Sequence, residues 1–193
     1  MVPRPIDIAK RNALIEQTAV YLSDNGFIDT SLRDVAAGLG TTSRMLVYYF
    51  GTKEALFTAA LESRRQNFRL AFDAVSSPEE FVLALRSLLR EMTAGSKEPE
   101  ARLLIQILGA GTAGNGEYRA FASAAIADMT TALRDAILRM GGDARTAGGH
   151  ATVIGAAFRG LLIDRLTSTA ASEADQEAET MFSMLADLAA GRR

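Results

Sequence analysis

Apolar residues recur along this chain at intervals of three and four and nowhere in strict alternation, which predicts helices throughout and no half-buried strand. A first helix is expected from Asp7 to Asn25, with Ile8, Ile15, Ala19 and Leu22 on one face and Gly26 as its stop. A short second helix follows, opened by a capping box of Ser31 and Asp34 and striped by Leu32, Val35, Ala36 and Leu39. Gly40 supplies a turn, Thr42 or Ser43 caps a third helix ending near Phe50, and Gly51 stops it. Thr52 opens a fourth helix, expected to reach about Val75, with Glu54 in the first turn where the helix dipole favours a carboxylate.

The second half repeats the pattern in longer pieces. Ser77, Pro78 and Glu80 form a start signal for a fifth helix running to about Ala94. Gly95 to Pro99 reads as a loop, and Ala101, Leu104 and Leu108 mark a sixth helix that ends at the glycine-rich GAGTAGNG. Glu117 to Met140, about Asp143 to Ser168 and about Ser172 to Ala190 complete an all-α chain of about nine helices, the last striped by Ala178, Met181, Phe182, Leu185 and Leu188.

Composition narrows the class. The 193 residues, 48% apolar, suffice for a sizeable core, and the longest apolar run, Ala151 to Ile163, is interrupted by Thr152 and Arg159, so no membrane span is expected. The N-terminus carries charge and lacks an apolar signal core, which makes the cytoplasm the expected location. Zero cysteines exclude thiol chemistry, and the single histidine, His150, leaves neither a zinc site nor a triad to be assembled; no metal, cofactor or catalytic residue is expected. The net charge of −2 conceals an asymmetry: residues 1–70 hold 9 Lys/Arg against 7 Asp/Glu, whereas residues 71–193 hold 12 against 16.

Two short helices joined by a glycine turn and preceded by a longer one make a helix-turn-helix, whose second short helix enters the major groove. The residues sharpen this spacing. TSLRDVAAGLGTTSRMLVYYFGTKEALF, Thr30 to Phe57, resembles the N-terminal domain of the Tet repressor family of bacterial transcription regulators: a Thr/Ser-initiated helix, a glycine turn, a recognition helix ending in an aromatic-aromatic-Phe run, and a following Thr-Lys-Glu. The resemblance covers about the first 60 residues.

It implies a helix-turn-helix DNA-binding domain over residues 1–55, helix four as connector over about 52–75, and a ligand-binding and dimerisation domain over 76–193. It further implies a repressor that binds a palindromic operator in double-stranded DNA as a homodimer and is released by a small-molecule effector. Arg33 is then placed to reach a phosphate or a base. Thr41, Thr42, Ser43 and Arg44 lie where base edges are met, with Arg44 suited to guanine O6 and N7. Neighbours on a helix point about 100° apart, so Tyr49 and Phe50 continue the inward stripe of Leu46 while Tyr48 projects outward toward a phosphate. Lys53, at a helix start, is a phosphate anchor. The family pattern commonly has a small residue, a Thr or Ser, and a Tyr where this chain has Arg44, Met45 and Val47.

In the C-terminal part the expected dimer seam comprises Gly155, Phe158, Leu162, Met181, Phe182 and Leu185, with Ala156, Gly160 and Leu161 beside it. A ligand pocket would draw on Phe81, Arg102, Leu104, Phe121, Ile126, Met129, His150 and Phe158, with Arg159 as a further polar contact. Two other readings compete. One is a helical ligand-binding dimer without DNA binding. The other is a dinucleotide-binding enzyme, because Gly109, Gly111 and Gly114 spell G-x-G-x-x-G; that motif needs a strand before it and a second strand after it, where the chain reads as helix.

Overall fold

The computed structural model describes residues 7–65, 67–114, 116–168 and 173–191, the side chains of residues 173–177 excepted. The described residues form ten α-helices and no strand: α1 (Ile8–Asn25), α2 (Leu32–Gly38), α3 (Ser43–Phe50), α4 (Lys53–Ser63), α5 (Phe68–Phe72), α6 (Pro78–Ala94), α7 (Glu98–Thr112), α8 (Gly116–Arg139), α9 (Ala147–Thr167) and α10 (Glu173–Ala189). They divide into two units, residues 1–65 with 102–122, and residues 66–101 with 123–193.

The first unit is built on α1 against α4, with α2 and α3 completing it. Its interior takes Leu14, Ala19 and Leu22 from α1, Val35 and Ala36 from α2, Leu46 and Tyr49 from α3, and Leu56, Phe57, Ala60 and Leu61 from α4. Thr18 is buried with them because its hydroxyl donates to the Leu14 carbonyl at 2.7 Å, leaving no unsatisfied donor. The inward phase of α1 is set by Leu14, whereas Ile8, expected on that face, is exposed at the first turn.

The second unit packs α10 on α6 and α9, α6 on α9, and α5 on α6. Phe72 and Phe81 meet at its centre, with ring centroids 5.8 Å apart. Arg139 closes the end of α5, donating from Nη2 to the Phe72 carbonyl and from Nε to the Val75 carbonyl at 3.3 Å. These carbonyls lie at a helix end, where the last C=O groups have no N–H donor within the helix.

Three elements depart from the pattern reading. The fourth helix stops at Ser63 instead of reaching Val75, and a separate α5 begins after Asn67, whose side chain accepts from the Arg69 N–H at 3.2 Å. An Asn that hydrogen-bonds its own backbone competes with helix continuation, and no glycine or proline advertises the break. Helix α7 starts at Glu98, inside the expected loop, because Pro99 then sits in the first turn, where a missing N–H costs nothing. It also runs through Gly109 and Gly111 to Thr112. A Cβ on Gly111 would lie 3.1 Å from the Ala122 Cβ and 3.2 Å from the Tyr118 carbonyl, so this glycine serves a close approach of α7 to α8. The dinucleotide fingerprint therefore lacks its strand and its βα turn, and that reading is withdrawn.

Candidate nucleic-acid interface

The two short helices are held by local chemistry that the sequence announces. The Ser31 N–H donates to the Asp34 carboxylate at 2.9 Å and the Asp34 N–H donates to Ser31 Oγ at 3.2 Å, a complete capping box. The Ser31 hydroxyl, then its N–H, hold the Asp34 carboxyl below the usual carboxylate range. Gly38 ends α2 where the Tyr21 ring lies so near that a Cβ would meet it at 2.3 Å, and Gly40 turns the chain with φ +62°, open to glycine at no steric cost. Thr42 then caps α3, its hydroxyl accepting from the Met45 N–H at 3.2 Å.

Helix α3 separates its two faces. Leu46 and Tyr49 are buried, while Arg44, Val47 and Tyr48 share one exposed face at i, i+3 and i+4. The adjacent tyrosines divide as their 100° offset requires: Tyr49 is 9% exposed and Tyr48 50%. Their rings meet edge to face at 5.1 Å, so the buried ring fixes the direction of the exposed one. Phe50 is half-buried beneath the Arg11 guanidinium, 5.0 Å above its centroid, which ties α3 to α1.

The flanking positions complete the surface. Arg33 is exposed on the first turn of α2, Thr42 is exposed, and Thr41 and Ser43 are half-buried at the start of α3. Thr52 caps α4 by accepting from the Ala55 N–H at 3.0 Å, and Lys53 follows, its Nζ 5.2 Å from the Phe57 ring centroid. Its charge is thereby held at a helix N-terminus, where free N–H groups also favour an anion. Val47, a departure from the family pattern, lies on the outer face as its spacing from Ser43 and Arg44 requires.

The domain is braced from within its own unit. The Phe27 N–H, just after α1, donates to Gln106 Oε1 at 2.9 Å, and the Phe27 ring packs on Tyr118 at 5.0 Å and Phe57 at 5.7 Å. Burial, then the nearby Glu54 and Glu117, push the Tyr118 hydroxyl above its ordinary range.

The residues expected to bind a ligand are divided between the two units. Arg102, Leu104 and Phe121 fall in the first unit, where Phe121 lies buried under the Arg65 guanidinium at 5.7 Å. Phe81, Met129 and Phe158 are buried in the second unit, where His150 is half-buried and Ile126 is exposed. The expected dimer seam needs a correction. Gly155, Phe158, Leu162, Phe182 and Leu185 are buried inside the second unit and Met181 is half-buried, so this face of α9 and α10 fills the core. Helix α9 is apolar on its opposite side too, and Gly149, Val153, Ala156, Gly160 and Ile163 form the exposed stripe.

Among the described residues no helix is long and apolar enough to cross a membrane. No curated protein sequence matches the chain. The solved structures it resembles include the multidrug binding protein EbrR complexed with proflavin, at 19% identity and a TM-score of 0.70 over 91% of this chain and 99% of that one. AibR in complex with isovaleryl coenzyme A and operator DNA matches at 21% identity and a TM-score of 0.61, over 91% and 97%. A TetR transcriptional regulator from Legionella pneumophila matches at 14% and 0.67, over 94% and 98%. Residues 14–60, which span α1 to α4, match the family of bacterial regulatory proteins, tetR family. The helix-turn-helix segment is thus similar to that of bacterial regulatory proteins of the tetR family, and the fold over most of the chain is the one these solved structures share.

Proposed function

We propose that the chain is a cytoplasmic, non-enzymatic transcriptional repressor that binds a palindromic operator as a homodimer and leaves it when a small-molecule effector binds. The observation that carries the DNA reading is α3, whose buried Leu46 and Tyr49 seat it while Arg44, Val47 and Tyr48 face outward. In this reading Arg44 meets a guanine edge, Val47 offers apolar surface to a thymine methyl, and Thr41, Thr42 and Ser43 supply hydroxyls to bases or phosphates. Arg33, Tyr48 and Lys53 hold phosphates, and Tyr49 sets the orientation of Tyr48.

The dimer reading rests on the outer face of α9 and α10. Val153 is 54% exposed, Ile163 42% and Met184 67%, and the small residues Gly149, Ala156 and Gly160 between them let a second helix approach closely. Two-fold symmetry there matches two half-sites on a duplex. Effector release follows as a population shift, the ligand favouring a dimer whose recognition helices no longer fit the half-site spacing. That EbrR was solved with proflavin and AibR with both an acyl coenzyme A and operator DNA supports this reading by likeness of fold.

Duplex-DNA affinity measured against salt concentration tests the function. A linear fall of log K with log salt, its slope counting several phosphates, is expected. A flat dependence would favour a ligand-binding dimer that does not touch DNA.

A further inference from the structure

The second unit holds a guanidinium that is incompletely paired among the described residues. Arg159 of α9 has a buried Nη1 without a hydrogen-bond partner among the described residues. Several arginines of the neighbouring elements are paired with carboxylates: Arg86 with Glu179, Arg69 and Arg134 with Asp135, and Arg145 with Asp143. Burial draws the Arg159 guanidinium below its ordinary range. Leaving part of a charged fork dry and unbonded is costly, and natural structures keep such groups where a partner arrives.

The position of the side chain is defined by a glycine. A Cβ on Gly155, one turn earlier, would lie 3.3 Å from Arg159 Nη1 and 3.5 Å from Leu133 Cδ1 of α8. The guanidinium therefore runs back over the bare backbone of Gly155, beside Leu133, with Ile154, Phe158 and Leu162 buried on the same helix. Arg159 as a whole is only half-buried, so part of its side chain remains open to solvent.

We propose that Arg159 anchors the effector, and that the effector is a small organic acid whose carboxylate pairs with the guanidinium while its apolar part packs against the aliphatic surroundings. The planar fork of arginine suits a carboxylate bidentately, and a low-dielectric setting strengthens the pair. This rests on the reading of the chain as an effector-responsive regulator and names the chemistry of the effector it takes.

The test is thermal unfolding of the full chain with acetate, butyrate or octanoate at ionic strength fixed with sodium chloride, and with octanol as the uncharged control. Octanoate should raise the midpoint more than butyrate or acetate, and octanol should not. Arg159→Gln should weaken octanoate binding about ten- to a hundredfold, the usual loss for a hydrogen bond to a charged group. Gly155→Ala, which favours the helix but pushes on the guanidinium, should weaken it too while the protein stays folded. No response to any carboxylate, an equal response to octanol, or a response that survives Arg159→Gln would each overturn the proposal. So would a wild type blind to carboxylates whose Arg159→Gln variant dissociates in sedimentation, since the partner's own carboxylate would then fill the place. The salt slope for duplex DNA, measured on the same proteins, separates the two readings: intact DNA binding without a carboxylate response sinks the anchor alone, whereas carboxylate binding without a DNA slope sinks the regulator.

Discussion

Helices α3 and α9 are both rich in apolar residues, yet they hide very different amounts of information. In α3 the inward Leu46 and Tyr49 alternate with an outer face of Arg44, Val47 and Tyr48, so the contrast of polar and apolar positions fixes which side is core. Helix α9 is apolar nearly all round. Ile154, Phe158 and Leu162 enter the core while Val153, Ala156, Gly160 and Ile163 stay outside, and nothing in their chemistry distinguishes the two sets. A helix with one apolar stripe announces its phase; a helix with two does not.

Substitutions on either side of these helices probe that contrast, beginning with the core. Leu46→Ala should cost about 2–5 kcal/mol of stability in urea unfolding, because a fully buried leucine leaves a cavity. A loss below 0.5 kcal/mol would mean that α3 is not seated as described. Ile163→Asp, on the outer stripe of α9, should leave the fold intact but convert dimer to monomer in light scattering. Operator affinity should then fall by roughly two orders of magnitude as the second half-site stops contributing. An unchanged dimer would show that another surface pairs the chains.

Smaller effects are expected at the caps and the outer face of the helix-turn-helix. Thr42→Ala removes the hydroxyl that receives the Met45 N–H and should cost about 1 kcal/mol. Tyr48→Phe should weaken duplex binding about fivefold, the loss of one phosphate hydrogen bond, without a change in stability; a stability loss instead would place the hydroxyl in the fold. The Asp34 carboxyl, held below its ordinary 3.8 by Ser31, contributes stability that is present above that value and lost as pH falls through the lowered one. The Ser31 amide resonance should report this by titrating below pH 3.8. A midpoint at or above it would mean that the capping box is open in solution.

How much could be read in advance follows the same division. Ser31 and Asp34, Gly40, Thr42 and the Ser77–Pro78 start signal are local rules in which a few neighbouring residues satisfy one another, and the helices appear where these rules put them. Even there the reach of Glu80 differs, since its carboxylate takes the Ser76 N–H at 2.8 Å. The break before α5 was not legible because Asn67 is equally at home on a helix surface and at a cap, and burial of Phe68 and Phe72 decides between them. On the candidate interface, the exposure of Tyr48 and the burial of Tyr49 follow from helix geometry alone. Large or polar residues on apolar helices serve core and pocket alike, and Phe81, Met129, Phe158 and Phe121 of the expected ligand set are buried. Arg159 stands out only once the hydrogen bonds of its guanidinium are known.

Selection of bound sequences from random duplex DNA, with wild type and Arg44→Ala in parallel, tests the central claim most directly. A palindrome with two half-sites about one helical turn apart is predicted for the wild type, and a relaxed preference at one position of each half-site for the variant. Sequences enriched no further than the starting pool, or a preference untouched by Arg44→Ala, would contradict the assignment of α3 as the reading helix.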